Sequence, residues 1–346
     1  MDHKKYITPL LFLAIAVSGC VNKHIYTPFD ASTAVKTTYQ LKTDNPFRYQ
    51  RQPIAVKNHT LHNREDEYYR VRHIRLPSSG ENGQKDDLVS VLYYQSKTKG
   101  KKKLVIVLPI WGSYTYPSRK ITSGILARSR GDTNVLYVFG KDYLFDWEWM
   151  SKAKTEADFQ QRLKRMANRF RTHIIDVRRL IDWAIQDGGV KKESIGLIGF
   201  SMSALEATGV LVSDNRIAAG ILVMGGTHPH DIFTTCDGLP EMVRNRIMAR
   251  FHWSREQVKA AYKKEFYAFD TTHFSGTVDP RKVIMFDAHK DDCMSRSSRD
   301  DLWVDMGRPT RYSFLYAHKK SFYSMTPLGA FFMRYRIYEF LHRRLQ

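Results

Sequence analysis

The chain has 346 residues, of which 42% are hydrophobic and 26% are charged, and its formal net charge is +20. This composition excludes a disordered chain, a collagen and a protein with many membrane spans, and it fits one large globular domain with or without an inserted subdomain. Three cysteines are too few for a framework of disulfides.

The N-terminal segment has the features of an export signal. Two lysines precede the apolar run Tyr6–Val17, and Ser18, Gly19 and Cys20 follow it. At about 12 residues the run is shorter than the roughly 20 residues that a membrane-spanning helix needs. Small residues after a short apolar core are typical of a cleaved secretory signal. We therefore predict that residues 1–19 are a signal peptide.

The end of this segment resembles a bacterial lipobox, in which the cysteine is acylated and becomes the first residue of the mature chain. The resemblance implies that Cys20 carries lipid, with palmitate as one acyl group, and that the protein is anchored to a membrane without spanning it. Val21, where an aspartate would signal retention, implies the periplasmic side of the outer membrane of the cell envelope. Whether the remaining cysteines, Cys236 and Cys293, pair or stay free is left open by the sequence.

Residues 20–84 are polar and rich in turns, and we expect a tether in their first half and edge strands in the rest. Beyond them, strand-like runs alternate with helix-like segments. Apolar runs predict strands at 88–94, 104–108, 134–139, 194–198, 217–224, 283–286 and 312–315, and helical periodicity predicts helices at 118–130, 157–186, 204–212, 298–306 and 327–345. This alternation predicts a mostly parallel sheet flanked by helices, over residues 85–346.

Two segments add to this plain alternation. Residues 225–280 follow a predicted strand and are basic, helical and too long for a simple connection, so we predict a helical cap at about 225–280 that overhangs Ser201, the serine of the motif described next. The helix predicted at 157–186 carries a row of arginines and lysines opposite its apolar positions. We expect most of this basic row to face solvent.

A Gly-x-Ser-x-Ser motif between Gly199 and Ser203 is the most informative part of the sequence. An apolar strand runs into the motif and a helix follows at once, so a sharp turn would lift Ser201 above the sheet. Small residues two before and two after that serine allow the backbone to crowd, although Ser203 stands where a second glycine is usual. The pattern predicts Ser201 as a nucleophile and the N–H of Met202, at a helix start, as an oxyanion donor.

A serine hydroxyl needs a base to activate it, and the base needs a carboxylate to orient it. Residues of both types follow later strands. His318 comes three residues after the last predicted strand, and Asp287, Asp291 and Asp292 follow the strand before it. Because the acid generally lies on a loop several residues past its strand, we predict Asp291 as the acid and His318 as the base, with Asp287 and Asp292 as alternates.

Residues 85–346 as a whole resemble the α/β-hydrolase fold family. The loop that starts at Ala288 and ends at Asp291 is similar to the family's acid loop, with alanine in place of glycine. Members of the family have a His-Gly pair after the third core strand, and the resemblance places an oxyanion donor there at Trp111, with Ile110 as the alternate. This chain lacks that histidine. The resemblance implies a serine hydrolase of the esterase or lipase kind, which cleaves carboxylic esters or related acyl substrates, small or lipid, through an acyl-enzyme.

Other features of the sequence exclude several functions. Thr227–Asp231 has a His-x-His-Asp spacing that can bind a metal, but no second ligand group accompanies it, so we predict a polar loop at the mouth of the site and no metal. No glycine-rich nucleotide motif occurs, and no cofactor is expected. The positive charge without a nucleic-acid module favours an anionic lipid surface as a partner, and not nucleic acid. The alternative function is a non-catalytic envelope lipoprotein of the same fold, which acts as a binding or scaffold protein.

Overall fold

The computed structural model describes residues 21–24, 45–79, 88–110, 116–139, 145–187, 189–315, 317–318 and 329–346. The predicted signal peptide, Cys20 and Trp111 lie outside the described residues. Within those ranges, no helix combines the length and the apolar character that crossing a bilayer requires.

Ten strands form one sheet in the described part of the chain. In chain order they are β1 (Val21–His24), β2 (Lys57–Thr60), β3 (Tyr69–Pro77), β4 (Leu88–Ser96), β5 (Lys102–Val107), β6 (Thr133–Val138), β7 (Val190–Phe200), β8 (Ile217–Val223), β9 (Val283–Ala288) and β10 (Thr310–Phe314). Their order across the sheet is β1-β10-β9-β8-β7-β5-β6-β4-β3-β2. The strands from β10 to β6 run parallel, and antiparallel strands extend the sheet at both ends. The prediction of a mostly parallel sheet is confirmed.

Helices cover both faces of this sheet. Within the described ranges they are α1 (Tyr116–Ser129), α2 (Trp147–Ser151), α3 (Glu156–Gln186), α4 (Met202–Leu211), α5 (Pro229–Thr235), α6 (Leu239–Phe251), α7 (Arg255–Phe266), α8 (Arg296–Asp305) and α9 (Gly329–Arg344). One apolar cluster lies under α1 and α9, and a larger one lies under α3, α4 and α8. In β5, Leu104 and Ile106 belong to the larger cluster, whereas Val105 and Val107 belong to the other. Burial on both faces explains why residues 104–107 of this strand are an unbroken apolar run.

The interval between β8 and β9, where the cap is predicted, contains α5, α6 and α7. These helices pack against α2 and the start of α3. Arg246 Nη1 donates to Ser151 Oγ at 2.8 Å, and Trp253 Nε1 donates to Glu156 Oε1 at 2.9 Å. Phe251 and Trp253 are partly buried, and both rings contact Phe159 of α3. The inserted helices therefore share the larger apolar cluster of the sheet, and a position over the active site stays a prediction.

The basic row of α3 does not all face solvent, so that expectation is wrong for part of it. Arg178 is buried, with Nη1 donating to the carbonyl of Phe47 and Nε 3.5 Å from Asp214 Oδ2. The guanidinium of Arg162 lies 4.6 Å from the centre of the Trp149 ring. Two elements pack on this side of α3: the segment that carries Phe47 and the short helix that carries Trp149. The helical pattern of α3 by itself could not indicate either contact.

The described parts of the N-terminal region belong to the sheet and its core. Val21–His24 form β1, which pairs with β10 in the register Val21 to Phe314, so the tether does not include them. Phe47 is fully buried in the larger apolar cluster. Strand β3 pairs with β4 along its whole length of nine residues. The sheet therefore includes strands before residue 85, and β2 and β3 lie in the part of residues 20–84 where edge strands were expected.

Candidate functional site

Ser201 occupies the sharp turn between β7 and α4. Its φ of 54° and ψ of −121° are strained for a residue with a side chain. The N–H of Ser201 donates to the Val223 carbonyl at 2.8 Å, and the Ser201 carbonyl accepts from the N–H of Ala204 at 2.8 Å. These two hydrogen bonds hold both sides of the turn, and they place the half-buried serine at the carboxyl edge of the parallel strands.

The small residues of the motif allow this turn in two different ways. A Cβ on Gly199 would lie 2.3 Å from the Ser203 carbonyl oxygen and 2.8 Å from the Ala204 Cα, so no side chain fits there. Ser203 is fully buried, and its hydroxyl accepts from the N–H of Phe200 at 2.8 Å and donates to the Phe200 carbonyl at 3.0 Å. The serine that replaces the usual glycine therefore stabilises the turn.

His318 connects Ser201 to Asp291. Its Nε2 lies 2.8 Å from Ser201 Oγ, and its Nδ1 lies 2.8 Å from Asp291 Oδ2. The side chains of His318 and Asp291 are 8% and 0% exposed, so both hydrogen bonds are shielded from water. Because an ionised carboxylate can only accept, Nδ1 carries the proton and Nε2 accepts from the serine hydroxyl. The structure thus brings together the three residues that were predicted as nucleophile, base and acid.

The loop after β9 fixes the Asp291 carboxylate. Oδ1 accepts from the N–H of Cys293 at 2.9 Å and from that of Met294 at 2.7 Å, while Oδ2 faces His318. Cys293 forms a disulfide with Cys236, which follows the last residue of α5. The pairing that the sequence left open is therefore formed, and it links the acid loop to the inserted helices.

The two alternate aspartates have different surroundings. Asp287 is buried at the end of β9, where Arg311 Nε donates to Oδ2 at 2.7 Å and the hydroxyl of Ser313 donates to Oδ1. A buried carboxylate that is paired in this way serves as the partner of a buried guanidinium. Asp292 is exposed. The geometry therefore favours Asp291 as the acid.

The structure describes one of the two predicted oxyanion donors. Met202 is the first residue of α4, where amides have no acceptor inside the helix, and its N–H adjoins Ser201. Trp111 lies outside the described residues. Ile110, its alternate, is buried and belongs to the apolar cluster under α1 and α9. The second donor stays a prediction.

The polar loop after β8 forms an ionic bridge. Nδ1 of His228 lies 3.1 Å from Asp270 Oδ2, and Nε2 lies 2.9 Å from Asp301 Oδ2. The hydrogen bond with Asp270, which acts against the effect of burial, and then that with Asp301 raise the pKa of His228 to about 9. In the ranges that the structure describes, no group of three or more His, Cys, Asp or Glu could hold a metal ion. His228 instead connects the inserted segment to α8.

Sequence reasoning missed both carboxylates of this bridge. Asp270 and Asp301 lie 42 and 73 residues after His228. Contacts over such distances leave no periodicity or spacing in the sequence. The one signal was His228 itself, which lies on the loop after a core strand, where polar side chains of a site collect.

The parallel sheet, the strained serine between β7 and α4, and the acid and histidine loops after β9 and β10 define the α/β-hydrolase fold. The chain is similar to an acetyl xylan esterase from Paenibacillus sp. R4, with a TM-score of 0.58 and 11% identity over 85% of this chain and 90% of that one. Acetyl xylan esterase 1 from Thermoanaerobacterium sp. JW/SL YS485 gives a TM-score of 0.51 and 12% identity over 84% of this chain and 87% of that one. The acylaminoacyl peptidase of Pyrococcus horikoshii gives a TM-score of 0.53 and 16% identity over 81% of this chain and 42% of that one. No family model and no curated protein matches the sequence.

Proposed function

We propose that the protein is a serine hydrolase that cleaves carboxylic esters or related acyl compounds through an acyl-enzyme. The observation that carries the proposal is the chain of hydrogen bonds from Ser201 through His318 to Asp291, each 2.8 Å long. A serine that served only to cap a helix would need neither a strained turn nor a buried imidazole at its hydroxyl. A serine with both is prepared to act as a nucleophile.

Each residue has one role in the proposed reaction. Ser201 Oγ attacks the substrate carbonyl carbon while His318 Nε2 takes its proton. Asp291 stays ionised and stabilises the imidazolium through the Nδ1–H. The N–H groups of Met202 and Trp111 stabilise the oxyanion. His318 then gives the proton to the leaving group, and a water molecule, activated by the same imidazole, hydrolyses the acyl-enzyme.

The similar structures support the class of reaction. Two are named as acetyl xylan esterases and the third as an acylaminoacyl peptidase, so esters and amides are both cleaved on this fold. Transfer of an acyl group to the enzyme is a step that ester and amide cleavage can share, and it is the step assigned to Ser201.

A fluorophosphonate probe tests the proposal, because it reacts with an activated serine and not with an ordinary one. We expect labelling of the wild-type protein and none of Ser201→Ala. A matched control, Ser213→Ala, removes another buried serine, which follows the end of α4, and should keep the label. Absence of labelling in folded wild-type protein would favour the non-catalytic binding or scaffold lipoprotein.

We propose further that Cys20 is acylated and anchors the protein to the periplasmic side of the outer membrane. Strand β1 begins at the next residue and pairs antiparallel with β10, so that Val21 lies opposite Phe314, at the carboxyl edge of the parallel strands. Ser201 and His318 lie along this same edge. The placement supports lipid esters of that membrane as substrates, and the net charge of +20 supports an anionic lipid surface as the partner.

Cys20→Ala is expected to abolish acylation and to leave the precursor uncleaved, since the cysteine is the acceptor of the lipid. Intact-mass spectrometry of protein from the membrane fraction measures both results. Cys236→Ser, which removes a cysteine of the disulfide, should leave the lipid in place. A mature protein without acyl groups that begins at another residue would contradict the anchor.

A further inference from the structure

Cys293 makes one bond within the acid loop and two bonds to the inserted helices. Its N–H donates to Asp291 Oδ1 at 2.9 Å, its sulfur is bonded to Cys236, and its carbonyl accepts from the Thr235 hydroxyl at 3.1 Å. One of the two residues whose amides bind the carboxylate of the acid is therefore itself held at the C-terminal end of α5.

Helix α5, to which Cys293 is attached, is packed in the core of the protein. Ile232 and Phe233 are 1% exposed and belong to the larger apolar cluster. The N–H of Cys236 donates to the Ile232 carbonyl at 2.9 Å, so the cysteine continues the hydrogen bonding of the helix. On the acid loop, by contrast, His289 and Lys290 are exposed. The loop is held from two sides, by α5 and by hydrogen bonds to its carbonyls from a buried arginine of α8.

We propose that the disulfide between Cys236 and Cys293 is a positioning device for Asp291. It holds the Cys293 amide against Oδ1 and so directs Oδ2 to His318, which makes Cys236 and Cys293 positioning residues of the proposed hydrolase. The inference rests on that proposed function. A dithiol would transfer two electrons and two protons to the disulfide, leaving two protein thiols and becoming a disulfide itself. The loop would then keep its hydrogen bond from Thr235 but lose its covalent link to α5.

The double variant Cys236→Ser/Cys293→Ser is expected to lower kcat about tenfold or more with little change in KM, because a small displacement of a catalytic group slows the chemical step. Dithiothreitol should have the same effect on the wild-type protein and none on the variant. A cavity variant of α7, Val258→Ala, weakens the packing of the inserted helices without touching the acid loop and should keep kcat. Val258 is fully buried.

A double-mutant cycle separates positioning from simple stabilisation. In an Asp291→Asn background the two serine substitutions should lower kcat no further, since the group that they position is already lost. An undiminished loss in that background, or an unchanged kcat in the folded double serine variant, would overturn the proposal.

If the folded wild-type protein takes no fluorophosphonate label, the proposed function fails, and the positioning is then tested by NMR. The proton on His318 Nδ1 should give a downfield resonance in the oxidised protein that is lost or moved upfield in the double serine variant. An unchanged resonance would overturn the positioning role, whatever the activity of the protein.

Discussion

Ser201→Ala and His318→Ala are each expected to lower kcat roughly 10⁴- to 10⁶-fold, because nucleophile and base act on the same step. The double variant should lose hardly more than either single one. Binding uses other contacts, so KM should change little. Turnover of p-nitrophenyl esters of graded chain length gives kcat and KM for all three variants, and it also gives the preferred acyl length.

His342→Ala is the matched control for the base, since His342 is an exposed histidine on α9 that should not affect turnover. Losses that multiplied in the double variant would show that Ser201 and His318 work in separate steps. That result would remove the basis of the proposed hydrolase even if each single variant were inactive.

Asp287→Asn is expected to destabilise the protein by about 3–5 kcal/mol, because the substitution removes the carboxylate that pairs with buried Arg299 and leaves Arg311 with Asp300 as its counter-charge. Arg311 Nε lies 2.7 Å from the Asp287 carboxylate and Arg299 Nη1 lies 3.6 Å from it. Chemical denaturation measures the loss, and kcat of the remaining folded protein should stay close to the wild-type value.

Asp291→Asn is the counterpart of this substitution, with the same change of group on the loop that follows β9. It should lower kcat by roughly 10⁴-fold, because the amide can no longer orient and stabilise the imidazolium. If Asp287→Asn lost the activity and Asp291→Asn kept it, the acid would have to be reassigned.

The fold could be predicted because its signals are local. Residues 104–107 of β5 are buried on both faces of the sheet and are all apolar, and the turn at Ser201 needs small residues at fixed positions. The start of β7 could not be predicted in this way. The strand begins at Val190, and its charged residues Lys191–Glu193 interrupt the apolar pattern before the predicted start at 194.

The contacts around the site could be predicted only where they depend on chain order. Asp291 and His318 follow successive strands of a parallel sheet, so their meeting at one edge follows from topology. The pairing of Cys236 with Cys293 and the bridge from His228 to Asp270 depend on how the inserted helices pack on the sheet. The burial of Arg178 by Phe47, 131 residues earlier in the chain, depends on packing in the same way.

The pairing of β1 with β10 also bears on the order of folding. Val21 lies opposite Phe314, so the first described strand finds its partner only when nearly the whole chain is present. In a chain exported from its N-terminus, the lipid proposed for Cys20 would be in the membrane while β1 was still unpaired. Pairing of β1 with β10 would then bring the folded domain against the membrane. The last step of folding and the docking of the active-site edge on the bilayer would therefore be a single event.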